Sequence, residues 1–162
     1  LNTDKILQLL ILPGYRTFPI MLPGGTIILF ENMVAGSDSP AVTVGYILSA
    51  FAAYNQSDQL RTYLERAGPF TAFSLVASNN LSQTQVNQLA KIALSQPLTP
   101  APQTALLNLF KTAEISSSPF AQIKAGSNVK SLISQDPFPA GSPYPVLVDG
   151  AWLGLQAICS DM

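Results

Sequence analysis

The chain has 162 residues, of which 48% are hydrophobic and only 10% are charged. This length is sufficient for one domain with a sizeable core, so we expect a single globular domain over residues 1–162. The net charge is −1 and the basic residues are scattered, which argues against nucleic acid as the main ligand, because a tight phosphate binder needs about 6–10 basic contacts on one face.

The N-terminal part of the chain predicts a short helix followed by a β-hairpin. Asp4–Leu12 is strongly apolar and stops at Pro13, which favours a short buried helix. Thr17–Leu22 and Thr26–Phe30 are rich in β-forming residues and are separated by Pro23–Gly25, where glycine supplies a positive φ at low cost. The second run does not alternate, so we expect it to be buried on both faces.

A long helix is predicted after the Ala35–Asp38 loop. Ser39 is a favourable N-cap, and Pro40 fits the first helical position, where a missing N–H costs nothing. We expect this helix to run to Tyr54. Its expected core stripe consists of apolar residues at helical spacing, namely Val44, Ile47, Leu48 and Phe51.

The middle of the chain predicts two more helices with a strand between them. A helix is expected from Ser57 or Asp58 to Arg66, before a Gly-Pro pair, and Phe70–Ala77 is a candidate strand. Ser82 and Gln85 match a capping box, in which the two side chains satisfy each other's backbone N–H groups. This box opens the clearest helix of the sequence.

Two helices and a turn are predicted next. Thr104–Ala113 is helical in pattern, and Ser116–Pro119 is a turn. Ser127 can cap a short helix that contains Val129, Leu132 and Ile133.

The C-terminal part predicts a loop, a strand and a last helix. Asp136–Pro145 is rich in proline and glycine, which indicates an extended surface loop. Tyr144–Val148 is expected to be a short strand. Asp149 can cap a helix that holds Trp152, Leu153, Leu155 and Ile158.

The order of these elements predicts the fold class. Helices dominate, and the strands cluster near the N-terminus, which favours an α+β fold: a mostly helical single domain with a small β-hairpin or sheet. The alternative is an all-α fold with minor strands. Because the chain begins at Leu1 rather than Met, we expect a processed product or a domain excised from a larger protein.

No membrane span is expected, and the single cysteine predicts packing rather than chemistry. The apolar stretch from Ile6 to Phe30 is interrupted by prolines and glycines into pieces shorter than the ~20 residues of a membrane helix. Cys159 cannot form an intrachain disulfide and has apolar neighbours. We expect it to be a small buried hydrophobe near the end of the last helix.

The absence of histidine restricts catalysis most strongly. With 0 histidines and 1 cysteine, the chain cannot build a Ser-His-Asp or Cys-His triad, a histidine zinc site or a thiolate metal cage. The sequence also lacks a phosphate-binding loop, a dinucleotide fingerprint and a nucleophile elbow. We therefore predict no catalytic residue, no metal site and no cofactor.

Three weaker patterns remain as alternatives. Glu31 and Asp38 are the best carboxylate pair in the sequence, although capping explains Asp38 without catalysis. Ser127 and Lys130 are one helical turn apart, which is compatible with a Ser–Lys hydrolase or, more simply, with a cap and a solvated lysine. The sequence has two Asn-x-Ser matches to the N-glycosylation pattern, at Asn55 and Asn80.

These observations favour a non-enzymatic structural or assembly module that acts through protein–protein contacts. Self-association is the expected form, as a subunit of an oligomer, a viral particle or a secretion or filament assembly. The few charges and the Pro-rich segments Pro13–Pro23 and Pro137–Pro145 favour it. A binding module for a small apolar or sugar-like ligand is the first alternative. A carboxylate-dependent hydrolase is the second.

Overall fold

The computed structural model describes residues 8–22, 25–56, 84, 91, 102–123 and 129–160. Across these residues, helices predominate and are accompanied by one small mixed β-sheet. The predicted α+β class, mostly helical with a small sheet, is therefore confirmed.

The sheet has three strands in the order β1-β3-β2. β2 (Ile20–Leu22) pairs antiparallel with β3 (Thr26–Phe30), so the predicted hairpin is confirmed, although its first strand is shorter than expected. Gly25 has φ 91° at the turn, a conformation that glycine adopts without a Cβ clash. β3 is buried along its whole length, as its unbroken apolar run predicted.

β1 corrects the first prediction. The residues Gln8–Leu12 form a strand that runs parallel to β3, with Leu10 beside Ile28, and not the helix expected over Asp4–Leu12. The unbroken apolar run Leu9–Leu12 favours neither the helical nor the strand period. The chain therefore takes the conformation that supplies a backbone partner for β3. The part before Gln8 lies outside the described residues.

α1 spans Pro40–Gln56 and begins at the proline, as predicted. The four expected stripe residues are partly buried and pack against the core, but the most deeply buried positions, which include Val42, Tyr46 and Ala50, were not predicted. The physical reason is that α1 has no charged residue and is apolar on all sides, so periodicity alone cannot select the inner side. A short 3-10 helix, Glu31–Met33, joins the sheet to the loop before α1.

α2 (Gln103–Thr112) and α3 (Ser118–Ile123) pack against α1. The helix predicted over Thr104–Ala113 is confirmed, and each end of α2 differs from the predicted end by one residue. α3 was missed, because Ser116–Pro119 was expected to be only a turn and instead leads into this helix. Pro119 lies in the first turn of α3, where a missing backbone N–H costs nothing, as for Pro40 in α1.

α1 and α3 approach each other closely at Gly45. A Cβ placed on Gly45 would lie 2.4 Å from the ring of Phe120. Phe120 is buried and makes an edge-to-face contact with Tyr46, with ring centroids 5.3 Å apart. Phe110 of α2 lies 6.0 Å from Phe120 between centroids. This aromatic cluster fixes the three helices against one another.

α4 (Val129–Ser134) and α5 (Asp149–Ser160) complete the described chain. Both helices were predicted, and so was the mostly exposed loop between them. The strand predicted at Tyr144–Val148 is wrong: this segment is irregular and largely exposed. Pro145 lies inside this segment and cannot donate a hydrogen bond to a β-ladder.

Several predictions fall on residues that are not described. These are the helix Ser57–Arg66, the strand Phe70–Ala77 and most of the helix opened by Ser82. Within the last of these, Thr84 and Lys91 are described as helical and exposed. In the described part of the chain, no helix has the length and apolar character needed to cross a membrane.

Candidate functional site

The carboxylate pair considered for catalysis does not share a water-shielded pocket. Glu31 lies in the 3-10 helix and is partly buried, whereas Asp38 is exposed in the following loop. Over the described ranges, no group of three His, Cys, Asp or Glu side chains could hold a metal ion.

Of the two residues in the Ser–Lys alternative, the structure describes only Lys130, and the position of Lys130 does not favour catalysis. Lys130 is exposed on α4, whereas a lysine that activates a serine must be desolvated. Ser127 and Asn80 lie outside the described residues. Asn55 belongs to the last turn of α1.

Cys159 is fully buried, which confirms its predicted place in the core. Burial, and then the negative charge of Glu31, raise the pKa of the Cys159 thiol. Because the thiolate is the reactive form, both effects make this sulfur a poor nucleophile.

Among the residues that the structure describes, the buried polar group with the most hydrogen bonds is Asp136, which sequence reasoning did not single out. Its carboxylate accepts five hydrogen bonds, from the hydroxyls of Ser116 and Ser118 and from the backbone N–H groups of Ser117, Ser118 and Phe138. Ser117 is also held, since its hydroxyl donates to the Leu132 carbonyl at 2.7 Å. We call these residues the Asp136 hub.

The hub explains how α3 and α4 are joined. The N–H groups of Ser117 and Ser118 lie at the start of α3, where backbone donors have no partner within the helix. Asp136, two residues beyond the end of α4, supplies that partner. The only sequence signal was a run of three serines before Pro119. Nothing in that run indicates which distant acid the serines bind.

The charge state of Asp136 follows from its surroundings. Burial alone would raise the pKa of Asp136, but hydrogen bonds from Ser118, Ser116, Phe138 and Ser117 outweigh burial and lower it to about 2. The carboxylate is therefore ionised near neutral pH with its lone pairs occupied. Such a group positions the backbone and is unsuited to proton transfer near neutral pH.

The inner side of α5 is anchored mainly by one side chain and two buried residues. The Gln156 amide donates to the backbone carbonyls of Ser37 at 2.9 Å, Val34 at 3.3 Å and Ala35 at 3.4 Å. Trp152 and Cys159 are buried on the same side of the helix. These contacts hold α5 against the loop that precedes α1.

The opposite side of α5 is apolar and open to solvent. Leu153 is 64% exposed and Ile158 is 68% exposed. Gly150, Gly154 and Ala157 lie on the same side of the helix, and a Cβ on either glycine would meet no atom within 4 Å. We call this surface the outer face of α5, which consists of Gly150, Leu153, Gly154, Ala157 and Ile158.

Comparison of the chain with protein-family models, with curated proteins and with solved structures found no significant match.

Proposed function

We propose that this protein is a non-enzymatic assembly module that binds a second copy of itself through the outer face of α5. The observation that carries the proposal is the exposure of Leu153 and Ile158 on one side of a helix whose only charged residue is Asp149. Exposed contiguous apolar surface on a soluble protein is typical of a protein–protein contact.

The charge of this face favours a second copy as the occupant. The outer face contains no ionisable side chain, so two copies can pack together without burying an unpaired charge. Gly150 and Gly154 leave room for a second helix to approach the α5 backbone closely. A two-fold contact of this kind uses one surface twice and therefore closes as a dimer.

The environment of the polar groups supports a role without catalysis. The Asp136 carboxylate is occupied by hydrogen bonds, the Cys159 thiol is buried with a raised pKa, and Asp38 is exposed. Asp136 and Cys159 contribute to positioning and packing, as expected for a structural module.

Sedimentation of three matched proteins tests the proposal. We expect the unmodified chain to dimerise, and Leu153→Asp to weaken dimerisation at least ~10-fold, because a buried unpaired carboxylate strongly opposes association. Ile133→Asp is the control, since Ile133 is also an exposed apolar residue, 45% exposed, on a different helix, α4. It should leave the dimer intact.

Three outcomes contradict the proposal. One is an unmodified chain that stays monomeric at millimolar concentration. A second is an equal effect of Leu153→Asp and Ile133→Asp. The third is a large loss of thermal stability in a monomeric Leu153→Asp protein, which would indicate that the face is covered by the chain itself.

A further inference from the structure

A second surface feature lies away from the outer face of α5. A cleft of about 460 Å³ opens between α2 and the segment that follows α4. This volume is within the range of about 300–1,000 Å³ that is usual for small-molecule sites. Its two walls differ in chemistry, and that difference restricts what the cleft can bind.

The α2 wall presents a row of polar side chains. Thr104, Asn108 and Lys111 are spaced four and three residues apart, which places them on one face of the helix, with Leu107 beside them. Lys111 is exposed, and no carboxylate in the described ranges forms an ion pair with it. The wall therefore offers one available cation next to an amide, a hydroxyl and an aliphatic side chain.

The opposite wall is more apolar and is held in place. Pro137 and Phe138 are partly buried there, next to Gln135. The Phe138 N–H donates to Asp136 at 2.9 Å, and the Asp136 N–H donates to the Ile133 carbonyl. Because these bonds fix the wall before any ligand arrives, binding loses little free energy to ordering it.

The negative charge of Asp136 does not compete for Lys111. All five bonds to its carboxylate come from the hub, and Asp136 itself is only 9% exposed. The effect of Asp136 on the cleft is to hold the wall that contains Phe138 in place. The charge that a ligand meets in the cleft is that of Lys111.

We propose that this cleft binds a small amphiphilic carboxylate, with the anion at Lys111 and the apolar part between Leu107 and Phe138. The cation, the two amides and the hydroxyl match a carboxylate, and the apolar residues match a short hydrocarbon or aromatic group. This site is separate from the proposed self-association, so either proposal can fail without the other.

Two probes of nearly the same shape, of which only the first carries a charge, test the proposal: N-acetyl-phenylalanine and N-acetyl-phenylalaninamide. Titration into the isotope-labelled chain, followed by amide NMR shifts, should show the carboxylate binding about tenfold more tightly than the amide. The shifts should concentrate in residues 107–111 and 135–138. Lys111→Met should abolish the preference, and Lys111→Arg should keep most of it.

Lys130→Met is the matched control, because Lys130 is another exposed helical lysine and does not line the cleft. It removes the same charge and should keep the tenfold preference. Equal binding of the two probes by the unmodified chain would overturn the proposal. So would an equal loss in Lys130→Met and Lys111→Met, which would indicate only a general charge effect, or shifts that spread over other surfaces.

Discussion

Helices α1 and α5 are both built from small and apolar residues with almost no charge, but their surroundings differ. From residue 40 to residue 54, α1 has no exposed position, whereas α5 exposes eight of its twelve residues. α1 packs against the sheet, α2 and α3. α5 is held on one side by Gln156, Trp152 and Cys159.

Composition alone therefore does not identify a core helix. A helix that is apolar all round is buried when other elements surround it, as for α1. When the protein covers one side only, the uncovered side is available for a partner, as proposed for α5. The two helices can therefore be distinguished by substitutions that add volume or remove an anchor.

The largest expected effect comes from adding volume to α1. Gly45→Val would place side-chain atoms inside the Phe120 ring contact, where even a Cβ would be 2.4 Å away. We expect the free energy of unfolding to fall by about 3 kcal/mol, because overpacking forces the backbone and neighbouring rotamers to shift. Urea denaturation followed by circular dichroism measures this change.

Gly154→Ala is the matched change on α5. A Cβ there meets no atom within 4 Å, so we expect the free energy of unfolding to rise by about 0.5–1 kcal/mol, measured at low protein concentration, since alanine is the better helix former. If Gly45→Val were as harmless as Gly154→Ala, the close contact of α1 and α3 would be refuted.

A smaller loss is expected at the Asp136 hub. Asp136→Asn removes the charge and places an NH₂ group against serine and backbone donors, which should lower the free energy of unfolding by about 2 kcal/mol. Asp38→Asn is the control, because Asp38 is exposed, and it should have little effect. Thermal unfolding of both variants at neutral pH measures the difference.

The same hub predicts a pH dependence. The folded pKa of Asp136 is lowered from 3.8 to about 2, so its contribution is fully present above about pH 4 and is lost as the pH falls towards 2. The shift corresponds to about 2 kcal/mol. Asp136→Asn should therefore have a flatter stability profile between pH 4 and pH 2. If the stabilities of the unmodified chain and of Asp136→Asn changed in parallel over this pH range, the lowered pKa of Asp136 would be refuted.

Local rules predicted the elements that depend on neighbouring residues. Pro40 marks the start of α1, and Gly25 turns the β2–β3 hairpin, because both residues act through their own backbone. β1 could not be assigned from its apolar residues, since its conformation depends on pairing with β3, whose residues lie 18 positions further on in the register.

The candidate sites depend on contacts that no local pattern encodes. Asp136 binds serines 18 to 20 residues away, and Gln156 binds carbonyls 119 to 122 residues away. Neither side chain carries a periodic or motif signal. The exposure of Leu153 and Ile158 was hidden for a related reason: the sequence shows that α5 is apolar but cannot show which side the rest of the chain covers.

The smallest expected effect concerns how firmly α5 is held. Gln156→Met removes the amide that bonds to Val34, Ala35 and Ser37, at a cost of about 1 kcal/mol. Cys159 lies on the inner side of α5 and is fully buried, so thiol reagents reach its sulfur only when α5 opens locally. Labelling of Cys159 should therefore become about 5-fold faster in Gln156→Met.

Gln135→Met provides the control for this measurement, since Gln135 is exposed and its side chain forms no hydrogen bond recorded among the described residues. Its labelling rate should equal that of the unmodified chain. Equal rates in all three proteins would mean that Gln156 does not anchor α5. Labelling of the unmodified chain as fast as that of the denatured chain would mean that α5 does not cover Cys159. In that case α5 would differ from α1, which is enclosed on all sides, both in its exposure and in how firmly it is held against the rest of the protein.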